Sequence, residues 1–222
     1  MKLVFPELSR PIEFKEDKVQ VLVLEAPTLF RSVIADIYKQ CAGEGGVCVL
    51  SEKDTPIPFS KNAEIISSFI PFELNRKTLL NKIISAMEKI SVNERFFLQT
   101  SEVLSSVERL VSDISYELSG EFECEKISTA SLLKAVGIRI HEEPELSLSK
   151  VLDYMELVRE YDREKLFIFV NLHSYFAVKE INAFYSTLLS HKYKALLIES
   201  HEHKRQPSEE IRTIDVDLCE IG

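Results

Sequence analysis

Short apolar runs with few polar interruptions recur along the chain at residues 3–5, 19–24, 47–50, 65–70, 166–170, 195–199 and 211–216. Runs that do not alternate with polar residues suit strands covered on both faces, as in a mostly parallel sheet. Helical spacing sits between some of them. Residues 28–40 place Val33, Ile34, Ile37 and Tyr38 on one face, and residues 178–190 align Ile181, Phe184, Tyr185 and Leu188. The pattern predicts an α/β fold.

Between residue 71 and about residue 164 the period changes. Asn75 is placed to cap a helix carrying Leu79, Leu80, Ile83, Met87 and Ile90. A long amphipathic helix over 93–118 follows, with Phe97, Leu104, Val107, Val111, Ile114 and Leu118 in register, and Gly120 stops it. A third helix, 129–136, ends at Gly137, a residue suited to a left-handed C-cap. A fourth, 148–161, carries Val151, Leu152, Met155 and Val158. The reading is an α/β head of residues 1–70 plus 165–222 with an inserted α-helical domain, 71–164.

In such a head the turn after the first buried strand is where nucleotide phosphates would sit. Converging backbone N–H groups of a glycine-rich loop and a lysine would be needed to hold them. This chain runs through Glu25-Ala26-Pro27 with no glycine. The glycine cluster Gly43-Glu44-Gly45-Gly46 follows a helix and precedes a strand, the wrong order for a phosphate loop. A magnesium-holding acid is also missing, because the strand at 166–170 ends in Asn171-Leu172-His173. Both halves of a phosphoryl-transfer site are absent, which argues against nucleotide hydrolysis.

The 222 residues are 45% hydrophobic, enough for a substantial core. No apolar segment is long enough to span a bilayer, and the first residues lack the apolar core of a signal peptide. Cys41, Cys48, Cys124 and Cys219 are widely spaced with no CxxC pair, which points to reduced thiols and a cytoplasmic location. A net charge of −9 opposes a nucleic-acid partner unless basic residues are segregated or a cation is bound.

His201-Glu202-His203 offers alternating imidazoles to a metal, but with Lys204-Arg205-Gln206-Pro207 behind it reads more simply as a solvated turn. His141, His173 and His191 stand alone. Alternation across residues 121–125 sets Glu121, Glu123 and Glu125 on one side of an extended stretch, with Phe122 and Cys124 on the other. A hard cation would relieve that repulsion; calcium takes about six to eight oxygens, so further donors are needed. Glu142 and Glu143 would join if the intervening helix folds back. A solvated acidic edge is the simpler alternative. Arg76, Lys77, Lys82 and Lys89 punctuate the first inserted helix, and Lys134 and Arg139 flank Gly137. These are solvated helix faces unless they converge, within one chain or across a symmetric assembly.

Taken in order, several segments resemble a known family over nearly the whole length. They are Phe5-Pro6 with Pro11-Ile12, Leu22-Val23-Leu24-Glu25 with Phe30, and Asn75 with Leu79-Leu80. Leu132-Leu133-Lys134-Ala135-Val136-Gly137-Ile138 follows, then Lys165 through Asn171, then Leu196-Leu197-Ile198-Glu199. The family is the adaptation accessory protein of subtype II-A CRISPR systems.

That resemblance implies a head like a P-loop NTPase core without its phosphate-binding motifs, plus a helical domain. It implies a non-catalytic homotetrameric ring with a basic channel and ordering calcium ions (Ca2+). The ring would thread onto double-stranded DNA ends and work with the CRISPR integrase complex and effector nuclease in spacer acquisition. By the resemblance, Lys134 and Arg139 are channel residues, and Glu121, Glu123 and Glu125 fall on the calcium-binding stretch. Lys126 and Ser131 stand where other members have acids. Two rival readings remain: a nucleotide hydrolase or nuclease built around Glu25 or residues 121–125, and a scaffold that docks proteins.

Overall fold

The computed structural model describes residues 1–142 and 147–221. In chain order the elements are β1 (Lys2–Val4), β2 (Ile12–Glu13), β3 (Val19–Leu24), α1 (Pro27–Cys41), β4 (Val49–Glu52), β5 (Thr55–Pro56), α2 (Phe59–Asn62) and β6 (Ala63–Ile66). They continue with α3 (Lys77–Ser91), α4 (Phe97–Tyr116), α5 (Thr129–Val136), α6 (Leu148–Tyr161), β7 (Leu166–Val170), α7 (Val178–Ser190), β8 (Lys194–Glu199), β9 (Glu209–Ile214) and β10 (Glu220–Ile221). Among the described residues, no helix is long and apolar enough to cross a membrane. The chain divides into two units: Met1–Phe72, Pro144–Arg159 and Arg163–Gly222 form one, and Glu73–Glu143 with Glu160–Asp162 the other.

The first unit is built on a six-stranded sheet of order β10-β9-β3-β8-β7-β6, parallel except for β10. Every residue of β3 and β7 is buried, which is why those segments read as unbroken apolar runs. Alternate positions face opposite sides. Leu22, Leu24, Ile168, Leu196 and Ile198 join Val33 and Ile37 of α1 in one core cluster. On the other side Phe169 meets Phe184 of α7 edge-on at 5.4 Å between ring centres. A second, antiparallel sheet of order β2-β1-β4-β5 completes this unit.

Helix α6 was expected in the insertion, whereas all of it but its last two residues falls in the α/β unit. Val151, Tyr154, Met155 and Val158 are buried, Tyr154 packs edge-on against Phe72, and its hydroxyl donates to Glu64 at the start of β6. The apolar stripe was visible in sequence, but the surface it covers was not.

The second unit holds α3, α4 and α5. Helix α5 starts where Ser128 Oγ accepts the Ser131 amide at 3.0 Å. It ends at Gly137 with φ 75°, where a Cβ would have open space, so backbone conformation alone favours glycine there. Helix α3 departs from expectation at its start. Arg76 is its N-cap and no side chain caps it, because the Asn75 carboxamide is turned to another partner. Helix α4 buries none of its residues, and Leu98, Leu110 and Ile114 are exposed.

Candidate functional site

The turn after β3 holds no phosphate cradle. Leu24 is followed by Glu25, whose amide donates to the Ile214 carbonyl at 3.0 Å, and α1 opens with Pro27 one residue after its N-cap Ala26. At the end of β7, Asn171 adopts φ 53°, a left-handed conformation that asparagine tolerates well. Its Oδ1 accepts the Ser200 amide at 2.8 Å and its own amide donates to Ile198 at 2.9 Å. Asn171 thus ties together the ends of β7 and β8. Gly43 has φ 95° just after α1, as expected of a helix-ending turn.

Beyond Asn171 lies a group of polar side chains that the sequence did not reveal. His173 sits on the short 3-10 turn after β7, Tyr185 on α7, His203 on the link from β8 to β9, and Glu209 at the start of β9. The Glu209 side chain is fully buried. Its Oε1 accepts from Tyr185 at 2.8 Å and lies 2.9 Å from Nε2 of His203 and 3.5 Å from Nε2 of His173. Its Oε2 accepts the Gln206 amide at 2.6 Å. The two imidazoles stack with ring centres 3.6 Å apart. Burial opposes the Glu209 charge, but the bonds from both histidines, Gln206 and Tyr185 outweigh it and hold the carboxyl below its usual range. Burial likewise opposes a charge on His203, yet Glu209 raises its pKa on balance. Glu199, at the end of β8, is pushed by burial up to about 7 and accepts the His173 amide at 3.3 Å. Among the described residues, exposed His201 bonds only its neighbour Ser200, so the His201/His203 pair does not form a site.

In the helical unit the structure gathers part of the basic set. Ile140 donates its amide to Asn75 Oδ1 at 2.7 Å, and Asn75 Nδ2 donates back to the Ile140 carbonyl at 3.0 Å. The Asn75 amide also donates to Glu142 at 3.1 Å. This junction sets Arg76 and Lys77, at the start of α3, beside the segment that carries Arg139. Arg139 and Asn75 line one pocket of about 660 Å³ together with Glu73 and Glu142. Lys134 lies in the last turn of α5, across Gly137 from Arg139. Lys77, Lys134 and Arg139 are exposed, and none forms an ion pair among the described residues. Lys82 is different: its ammonium sits 2.9 Å from Asp162.

Residues 121–128 carry no helix or strand, and Glu121, Phe122, Glu123, Cys124 and Glu125 are all exposed. The stretch is solvated on every side chain and forms no edge strand. As oxygen donors the three acids suit a hard cation. Among the described residues, however, they do not close into a group of three converging ligand atoms within one chain. Glu142 is engaged by Asn75, and Glu143 lies outside the described residues. Ser131, at a position expected to weaken an acidic site, serves the start of α5.

A family model described as CRISPR-associated protein (Cas_Csn2) matches residues 40–218. The CRISPR-associated protein Csn2 of Enterococcus faecalis is 26% identical over 190 residues, covering 82% of this chain and 81% of that protein. Csn2 of Streptococcus agalactiae is 20% identical over 190 residues, covering 82% and 80%. The crystal structure of Stu0660 of Streptococcus thermophilus superposes with a TM-score of 0.62, covering 97% of this chain and 74% of that one. At 14% identity it shares the fold.

Proposed function

Because the chain belongs to the Csn2 family of CRISPR-associated proteins, we propose that it binds the ends of double-stranded DNA without sequence preference during spacer acquisition. It does so as a non-catalytic, calcium-supported homotetrameric ring in the cytoplasm, alongside the CRISPR integrase complex and effector nuclease. The observation that carries this reading is the junction of Asn75 with Ile140. It places Arg76, Lys77 and Arg139 on neighbouring segments, with Lys134 across Gly137, and leaves Lys77, Lys134 and Arg139 without ion pairs among the described residues. Phosphates are held by such cations regardless of base sequence.

One copy has a net charge of −9. Four copies around an axis would concentrate these cations inside while excess acid faces outward. Helix α4, with no residue buried inside its own chain, has apolar positions for neighbouring copies to cover. Glu121, Glu123 and Glu125 supply oxygens for calcium, with the remaining donors coming from a neighbouring copy or water. The missing phosphate cradle at Glu25-Ala26 and the structural use of Asn171 support the absence of nucleotide turnover.

A mobility shift comparing linear with covalently closed circular DNA, each with calcium and with chelator, tests the proposal. Linear DNA shifts in calcium, and the circle does not. Equal binding to both topologies would overturn threading, and equal binding in chelator would remove calcium from the reading.

A further inference from the structure

His173, His203 and Glu209 come from three separate segments, yet their ligand atoms lie within 4.8 Å of one another. Two ligands held about 2.0–2.1 Å from a zinc ion at a tetrahedral angle lie about 3.4 Å apart. The Glu209 oxygen is 2.9 Å from one imidazole nitrogen and 3.5 Å from the other. The two rings are stacked 3.6 Å apart, so an ion taken up between them replaces the shared protons once the imidazoles turn to bring both Nε2 lone pairs onto it.

The surroundings resemble the outer shell of a metal centre. The Gln206 amide fixes the second Glu209 oxygen, and Glu199 holds the backbone beside His173. Tyr185 Oη lies 2.9 Å from Nε2 of His173 and 2.8 Å from Glu209, where it can act as a fourth ligand or steady the carboxylate. His203 Nδ1 is buried with no hydrogen-bond partner, and the ring lines a pocket of about 260 Å³ beside Glu202 and Arg205.

We propose that His173, His203 and Glu209 bind one divalent transition-metal ion of the zinc class. Two imidazoles and one carboxylate select zinc or cobalt over calcium, a hard ion that prefers all-oxygen shells. The site clips the exit of β7, the β8–β9 link and the start of β9, so its role is to fasten this side of the sheet. It is separate from residues 121–125 and stands whether or not the chain binds DNA.

The test is titration of the metal-free full-length chain with Co2+. One equivalent per chain binds with the visible absorption of a four-coordinate site; Zn2+ displaces it and excess Ca2+ does not. Bound Zn2+ raises the thermal midpoint, and chelation reverses the rise. His203→Ala weakens Co2+ binding by at least about tenfold, whereas His201→Ala leaves it unchanged. Should His203→Ala misfold, side-chain nitrogen NMR of the wild type decides: zinc shifts the Nε2 signals of His173 and His203 and not those of His141, His191 or His201. No Co2+ binding, undiminished binding in folded His203→Ala, or zinc shifts at the other histidines would overturn the site.

Discussion

The carboxamide of Asn75 meets the backbone of Ile140 twice, accepting its amide at 2.7 Å and donating to its carbonyl at 3.0 Å. An asparagine side chain here reproduces the two-bond pairing of a strand neighbour. It joins the start of α3, which carries Arg76 and Lys77, to the segment after α5, which carries Arg139.

Asn75→Ala leaves both Ile140 groups without their partner. The expected cost is about 1–2 kcal/mol, since half-buried groups regain only part of their bonding from water. Hydrogen exchange should show faster exchange across α3 and α5 while β3 and β7 keep their protection. Unchanged α3 protection would mean the junction does not hold this unit.

Lys134→Glu and Arg139→Glu should each weaken binding to linear duplex DNA. The slope of log affinity against log salt should fall by about 0.9 for each phosphate that is no longer neutralised. Binding isotherms over a range of salt measure this. An unchanged slope in both variants would place the channel lining elsewhere.

Asp36 gives a defined acid response. Burial opposes its charge, but bonds from Cys48, the Val47 amide at 2.9 Å and Gln40 at 2.8 Å outweigh it, and the carboxyl sits below its ordinary value of 3.8. A depressed pKa stabilises the fold above 3.8, and that contribution is lost as pH falls through the folded value. Asp36→Asn should therefore lower the urea midpoint near neutrality, with the difference from wild type shrinking in acid. A constant difference down to about pH 3 would contradict this.

Thiol reactivity should divide the cysteines into two pairs. Burial pushes Cys41 up to about 11 and raises Cys48 as well, while Cys124 and Cys219 are exposed. A thiolate reagent near pH 8 should label Cys124 and Cys219 quickly, and the other two only on unfolding. Peptide mapping of the labelled chain distinguishes the pairs.

The central strands were legible because burial on both faces leaves no polar alternation in β3 and β7. Helix α7 and helix α6 match their expected spans because their apolar stripes are long and regular. The two-residue strands β2, β5 and β10 carry too little pattern to register. Asn75 was misread because a capping rule weighs only neighbours in sequence, whereas its partner is Ile140. The cluster around Glu209 was invisible for the same reason. Its histidines are 30 residues apart, and its carboxylate opens a strand with an unusually polar face. At residues 121–125 the alternation gave no strand, because an exposed Phe122 offers too little burial to hold the stretch against a sheet edge.

Strand β3 pairs with β8 on one edge and β9 on the other, so the first strand of the main sheet is enclosed by two of the last. On the ribosome, β3 emerges early and waits for nearly the whole chain before either edge is paired. The helical segment, residues 73–142, is complete well before that. Synthesis order therefore runs opposite to sheet order, and long-range closure of this kind is slow. A chain stopped before β8 would carry an apolar strand with two open edges, the form on which a chaperone or a protease would act first.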